Sequence, residues 1–285
     1  MSISKIFVGK ADGNDVASLG SQDHTLTAGD LMVVGVKWED ADQNATYPQV
    51  TDDQGNTYTP LTKTNYGGHV YGQLWYCLNC NAGTGNPVAT FSPNAAYCRI
   101  KSWQFRSTGG VWYYDRSTQT GGSGTTMQTA TVLTRVAAEA LVALGGEYGA
   151  GTWVTADRGD GSNWDIDDQD QGTLAASAIV STATNYRGNF THESMEWSLN
   201  VATFSETDPT GGAAPTVTQE GYRWRLDDGD QANATWAANQ DTGITAPANT
   251  VRRLRVILDT SGDANAAQYQ LEYKEANDAN WTKVS

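Results

Sequence analysis

The densest chemistry in the chain lies in Asp157-Arg158-Gly159-Asp160-Gly161-Ser162-Asn163-Trp164-Asp165-Ile166-Asp167-Asp168-Gln169-Asp170. Six aspartates and one arginine leave a net charge of −5 over these 14 residues. Hard cations such as Ca²⁺ take about six to eight oxygen ligands from acidic loops of this kind. Asp157, Asp160, Asp165, Asp167 and Asp168 are therefore candidate calcium ligands, the only cofactor chemistry the sequence suggests. The spacing is not that of an EF-hand, because its ligand pattern and closing Glu are absent. A solvated loop tip is the competing reading. Arg158-Gly159-Asp160 also spells a cell-adhesion tripeptide, a match so short that chance supplies it.

A second group of residues suits sugar recognition. Sugar rings stack on exposed aromatic faces while Asp and Asn accept hydrogen bonds from their hydroxyls. Trp112, Tyr113, Tyr114, Trp153 and Trp164 fall in or beside Gly-rich segments and are candidate glycan-binding residues. Core packing is the alternative for each, since aromatics in β-sandwiches are usually internal.

Catalysis has a weaker basis. Glycosidases need two carboxylates flanking one bond. Asp165 and Asp167 would share a strand face, but Glu193 and Glu196 would point to opposite faces. His24, His69 and His192 are far apart, and no Gly-x-Ser-x-Gly turn is present to build a nucleophile elbow. Cys77-x-x-Cys80 lacks the second pair or nearby His of a metal site, so Cys77, Cys80 and Cys98 are expected as buried thiols. A non-catalytic protein is expected, with a glycan hydrolase as a distant alternative.

The elements that must position these residues read as strands. Met195, Trp197, Leu199, Val201 and Thr203 alternate with Glu196, Ser198, Asn200 and Ala202, a strand with one face in the core. Leu31-Met32-Val33-Val34-Gly35-Val36-Lys37-Trp38 and Ala140-Leu141-Val142-Ala143-Leu144 are nearly continuous apolar runs, predicting central strands covered on both sides. Residues 49–59 predict a hairpin with Gly55 at its tip. Further strands are expected near 71–78, 86–91, 97–106, 125–134 and 173–182, and no window carries a convincing helical period.

Residues 206–215 hold two prolines and two adjacent glycines with no large apolar residue, which predicts a linker. The expected organisation is a large antiparallel jelly-roll-like sandwich over 1–205 and a small immunoglobulin- or fibronectin-III-like sandwich over 216–285. In the latter, Tyr222 and Trp224 share a face, as do Leu254, Val256 and Leu258, then Tyr269, Leu271 and Tyr273. Trp281 and Val284 sit on a last short strand, and Arg252, Arg253 and Arg255 fit a solvated outer face.

The formal net charge of −14 argues against nucleic acid, since phosphates demand clustered Lys and Arg. Residues 1–214 carry 22 of the 32 acids and 11 of the 18 bases, so most of the acidity lies in the large domain. No apolar stretch has the length of a signal peptide or a transmembrane helix, which predicts synthesis in the cytoplasm without membrane insertion.

Gly221-Tyr222-Arg223-Trp224-Arg225-Leu226-Asp227-Asp228-Gly229, Ala234-Thr235-Trp236 and Ala267-Gln268-Tyr269-Gln270-Leu271-Glu272-Tyr273 resemble a C-terminal β module of tailed-phage virion proteins and some bacterial surface proteins. Gly29–Val36, Asp53–Pro60 and Leu74-Trp75-Tyr76 resemble a jelly-roll-like adhesion domain. The resemblance implies a non-catalytic building block on a virion surface, made in the host cytoplasm, as capsid decoration, head fibre or tail protein. Its implied partners are other virion proteins and host surface glycans, with many copies on one particle. A bacterial carbohydrate-binding protein, cation-dependent through residues 157–170, is the alternative.

Overall fold

The computed structural model describes residues 2–39, 48–109, 111–149, 153–170, 172–209, 216–228, 233, 235–261, 272–273 and 282–283. For 153–155, 216–217 and everything beyond 257 the backbone alone is described. The chain is all-β: among the described residues there is no helix. It divides into two compact units, Met1–Thr210 and Gly211–Ser285.

In the large unit the first sheet is built from β1 (Ile3–Gly13), β2 (Leu31–Glu39), β3 (Val70–Cys77) and β4 (Val88–Ser107), in the order β1-β4-β2-β3. The second is built from β5 (Tyr113–Gln128), β6 (Glu139–Glu147), β7 (Trp153–Asp157), β8 (Asp165–Asp170), β9 (Thr173–Val180) and β10 (Asn189–Ser205). Its order is β5-β10-β6-β9-β8, with β7 on the far half of β10. Every pairing is antiparallel, and each sheet packs one face against the other.

These two sheets are copies of one plan. In each, the first strand pairs the last, the last pairs the second, and the second pairs one more, β3 in the first sheet and β9 in the second. Registers agree when Phe105 is set on Phe204: Phe105 lies opposite Leu31 and Phe204 opposite Ala140. Trp103 pairs Val33 as Ala202 pairs Val142, and Gly35 pairs Leu74 as Leu144 pairs Ala175. Even the irregularities coincide, since β1 bulges between Lys5 and Phe7 and β5 between Tyr114 and Arg116, each beside the matching Phe. The duplication is not visible as a sequence repeat.

The matched residues form the shared core: Leu31, Val33, Leu74, Trp103 and Phe105 against Ala140, Val142, Leu144, Ala175, Ala202 and Phe204. A Cβ on Gly35 would lie 3.0 Å from the Leu144 side chain and 3.2 Å from Trp103, so only Gly lets the sheets approach here. Behind the first sheet, Val34, Val36, Trp38, Trp75 and Ile100 are covered by Leu26, Val50, Tyr58 and Phe91. Behind the second, Leu141, Ala143, Leu174, Leu199 and Val201 are covered by Met127, Trp164, Tyr186 and Phe190. All nine residues of β2 and of β6 are buried, as their apolar runs require.

Three expectations need correction. From Trp197 to Ser205, β10 is buried on both faces, because its even-numbered side face packs on the first sheet and its odd face is covered from outside. Residues 49–59 are not a hairpin: Gln49–Thr51 pairs β4 and Thr59–Pro60 pairs β3. The turn between them is held by Asp52, which accepts from the amides of Gln54 and Asn56. The strand placed near 125–134 begins at Tyr113 and stops at Gln128.

In the small unit, β11 (Thr216–Leu226) and β12 (Arg252–Ser261) form an antiparallel ribbon, and Glu272–Tyr273 pairs Thr282–Lys283. Tyr222 pairs Val256 and Trp224 pairs Leu254, which puts these four on one face. The expected core positions Tyr269, Leu271, Trp281 and Val284 lie outside the described residues.

Candidate functional site

Two of the five candidate aromatics are core. Trp112 is 1% exposed, in the shared core beside Phe105, and Trp164 is 3% exposed, packed on Phe190 with Nε1 donating to the Arg187 carbonyl. Neither ring offers a face to a sugar. Tyr114 is half-buried and lies parallel to Tyr76 with centroids 5.3 Å apart, its hydroxyl 2.8 Å from Ser117 Oγ. Tyr113 is half-buried at the start of β5. Trp153 pairs His192 through its backbone, and its side chain lies outside the described residues.

The five aspartates do not converge into a cation shell. They divide between a turn and a clamp, and Asp165 is exposed at the start of β8. Among the described residues no group of three or more His, Cys, Asp or Glu is arranged to hold a metal ion.

The clamp closes one edge of the sandwich. A bulge in β8 between Ile166 and Asp168 makes Asp167 the extra residue. Consecutive side chains that regular alternation would send to opposite faces thus both reach the first sheet. Asp167 binds Lys5 and accepts from Trp103 Nε1 at 2.9 Å. Asp168 bridges Lys10, at 2.7 Å, and Lys101. Lys10 and Lys101 are direct cross-strand neighbours on β1 and β4, so the carboxylate relieves a like-charge pair. Burial alone would raise the Asp168 carboxyl, but the hydrogen bonds and charges of the two lysines outweigh it and hold it below the ordinary value.

A second internal cluster went unseen in the sequence because its members are distant in the chain. His192 Nδ1 lies 2.6 Å from Glu147 Oε1, with both side chains 0% exposed. Burial holds this imidazole below its usual pKa. Lys37 and Glu39 form a buried ion pair, and Gly146 packs against the Lys37 stem. At the surface, His69 Nδ1 meets Glu196 Oε2 at 2.8 Å beside the Tyr148 ring. The His192–Glu147 pair is sealed from solvent and ties β10 to β6; nothing in its setting admits a substrate.

The large unit opens a cleft of about 480 Å³ to solvent between residues 158–162 and 179–186. Its lining is Arg158, Asp160, Ser162, Ile179, Val180, Ser181, Thr182, Thr184 and Tyr186. Local chemistry builds the near wall. Gly159 and Gly161 take φ values of 88° and 84°, a left-handed backbone that Gly adopts without strain. Asp157 accepts from the Gly159 amide at 2.8 Å and Asp160 from the Ser162 amide at 3.0 Å, two successive Asx turns. The Arg158 amide donates to the Ser162 carbonyl, closing the turn.

The cleft is polar and firmly held. Arg158 Nη2 donates to Asp160 Oδ2 at 3.1 Å. Tyr186 OH donates to the Thr182 carbonyl at 2.7 Å, fixing the far wall. Arg187 and Asn189 hold Asp157 behind the turn, and with the Gly159 amide, the largest contributor, they keep its carboxyl below the ordinary range. Ile179, 44% exposed, supplies an apolar edge. The arrangement presents a guanidinium, a carboxylate, four Ser and Thr hydroxyls and the Tyr186 phenol around a space wide enough for a sugar ring.

Searches against protein-family models, curated proteins and solved structures find no match to this chain.

Proposed function

We propose that this chain is a non-catalytic structural and attachment protein, displayed in many copies on the surface of a tailed-phage particle, that holds host glycan in the cleft beside Arg158–Ser162. The observation that carries the reading is the cleft's lining: Ser162, Ser181, Thr182 and Thr184 hydroxyls beside the Arg158–Asp160 pair, with Ile179 at the rim. Both donors and acceptors line it, as hydroxyl-rich ligands require, and the apolar edge suits the C–H face of a sugar. A shallow site of this size binds weakly, which display in many copies multiplies.

The rest of the large unit supports a scaffold role. Its charged side chains join strands to each other: Lys5, Lys10 and Lys101 to β8, His192 to Glu147, and Arg106 to Asp30. The resemblance of residues 221–229 and 234–236 to a virion module supports placement on a particle. A bacterial carbohydrate-binding protein would use the same cleft.

A glycan array probed with the full chain and with Asp160→Ala tests the site. Binding to neutral oligosaccharides that Asp160→Ala abolishes supports it; a blank array, or equal binding by both proteins, overturns it. Copurification with phage particles separates the virion reading from the bacterial one.

A further inference from the structure

The β11–β12 ribbon sets Arg223 opposite Arg255 and Arg225 opposite Arg253. Strand alternation puts all four side chains on one face, away from Tyr222, Trp224, Leu254 and Val256. Directly opposed like charges destabilise a ribbon, and here two such pairs follow one another. With Arg252, five of the chain's 18 basic residues stand in this ribbon, in a protein of net charge −14.

A tryptophan organises the arginine face. Residues 235–241 run beside β11, with the Leu226 amide donating to the Thr235 carbonyl, Ala237 to Trp224 and Asp241 to Tyr222. This alignment sets Trp236 across from Arg225. Its ring centroid lies 4.2 Å from the Arg223 guanidinium, 5.0 Å from Arg225 and 5.6 Å from Arg255, so the ring attracts three cations. Arg223 Nε donates to the Ala238 carbonyl, and Arg253 meets Asp227 at 2.5 Å while its side chain stays 49% exposed. A hollow of about 210 Å³ opens among Arg225, Arg253, Leu254 and Arg255.

We propose that this arginine face is a binding site for an anionic polysaccharide, its sugars carrying carboxylate or sulfate groups. Guanidinium forks present paired donors that match such oxyanions, and the hollow has room for one. Of the four, Arg253 and Arg255 are exposed, about 7 Å apart along β12, while Arg223 is half-buried and Arg225 is 5% exposed, so successive charges on a polymer would meet the first two. Trp236, 37% exposed, borders the site with surface on which a sugar ring rests. Duplex DNA carries a charge about every 1.7 Å of its axis and demands a longer basic surface than two exposed guanidiniums on an acidic chain. The site is independent of the cleft in the large unit.

The test is biolayer interferometry of the full chain on immobilised polygalacturonate, heparin, uncharged dextran and duplex DNA at low salt. Binding to at least one of the two anionic polysaccharides, absent on dextran and weakened by added salt, is expected. Replacing the two exposed arginines together, Arg253→Gln with Arg255→Gln, should weaken it about tenfold or more, because each loses a charge-assisted hydrogen bond. The Arg253→Lys, Arg255→Lys pair keeps the charge without the fork and should fall between, with melting temperatures confirming that both variants fold. Asp160→Ala should bind the polysaccharide as the parent does. No binding to either anionic polysaccharide, equal binding by the Gln variant, or binding to DNA as tight as to the polysaccharides would overturn the assignment.

Discussion

Replacing Asp168 with Asn tests whether the acidic segment is a clamp. Asp168 holds two lysines of different burial: the Lys101 side chain is 0% exposed and that of Lys10 is 44% exposed. Removing one partner of a buried pair leaves an uncompensated charge and costs about 3–5 kcal/mol, whereas an exposed pair is worth at most about 1 kcal/mol. Asparagine still offers an oxygen to Lys101, which favours the lower end, about 3 kcal/mol. For a unit of this size each kcal/mol shifts Tm by roughly 2–4 °C, so the midpoint should fall by about 6–12 °C. Differential scanning calorimetry at pH 7 reads this directly, and Lys10→Ala should move the same transition by only about 2 °C. The double change Lys101→Met with Asp168→Leu should recover most of the loss, because an apolar pair carries no desolvation penalty. The Asp168 carboxyl is held below the ordinary range, so its contribution is complete above about pH 4 and is lost as pH falls through its folded value. Parent and Asp168→Asn should therefore converge below about pH 4. An Asp168→Asn protein melting within about 1 °C of the parent at neutral pH would refute the clamp.

Three further outcomes follow from the packing. Gly35→Ala should destabilise the large unit by about 1–3 kcal/mol in urea titration, because its Cβ meets Leu144 and Trp103 in the shared core. Burial, then the neighbouring Asp115 carboxylate, push the Glu139 carboxyl up to about 8. The folded state thus keeps a proton that the unfolded chain releases, and stability falls as pH rises from about 4 to about 8. Glu139→Gln should be nearly neutral near pH 4 and stabilising by on the order of 2 kcal/mol at pH 9, by urea titration at both. Cys77, Cys80 and Cys98 are at most 5% exposed, and burial pushes the Cys98 thiol up to about 11. Ellman's reagent should find no fast-reacting thiol in the folded protein and three after denaturation.

The strands were legible where one physical demand acted alone. Residues 31–38 and 140–144 read as doubly covered strands because such a place calls for near-continuous apolar side chains, Lys37 with its Glu39 partner being the exception. The duplication was hidden by the packing that makes it work. Matching positions meet in a single core, so a large residue in one half favours a small one in the other: Trp103 matches Ala202, Leu31 matches Ala140, Leu74 matches Ala175 and Gly35 matches Leu144. Volume complementarity thus removes the likeness a repeat search needs.

The candidate site was legible in place more than in role. Residues 157–170 were singled out for charge, yet the bulge at Asp167 turns two of those aspartates onto lysines more than 60 residues away in sequence. No local pattern announces a bulge or the lysines. Nearby glycines suggested that Trp112 and Trp164 sit in loops, whereas both are drawn inward by the apolar area a tryptophan buries. On β12, alternation set Arg253 and Arg255 apart from Leu254 and Val256, but their register with Arg223 and Arg225 is a cross-strand fact.

The most direct test of the account is a titration of the full chain with a neutral oligosaccharide selected on the array, in parallel with Asp160→Ala, Tyr113→Ala and the Arg253→Gln, Arg255→Gln double variant. The account predicts that Asp160→Ala alone loses the neutral sugar, while the other two bind it as the parent does. A sugar still bound by Asp160→Ala and lost by Tyr113→Ala would contradict it, returning recognition to the aromatics at the start of β5.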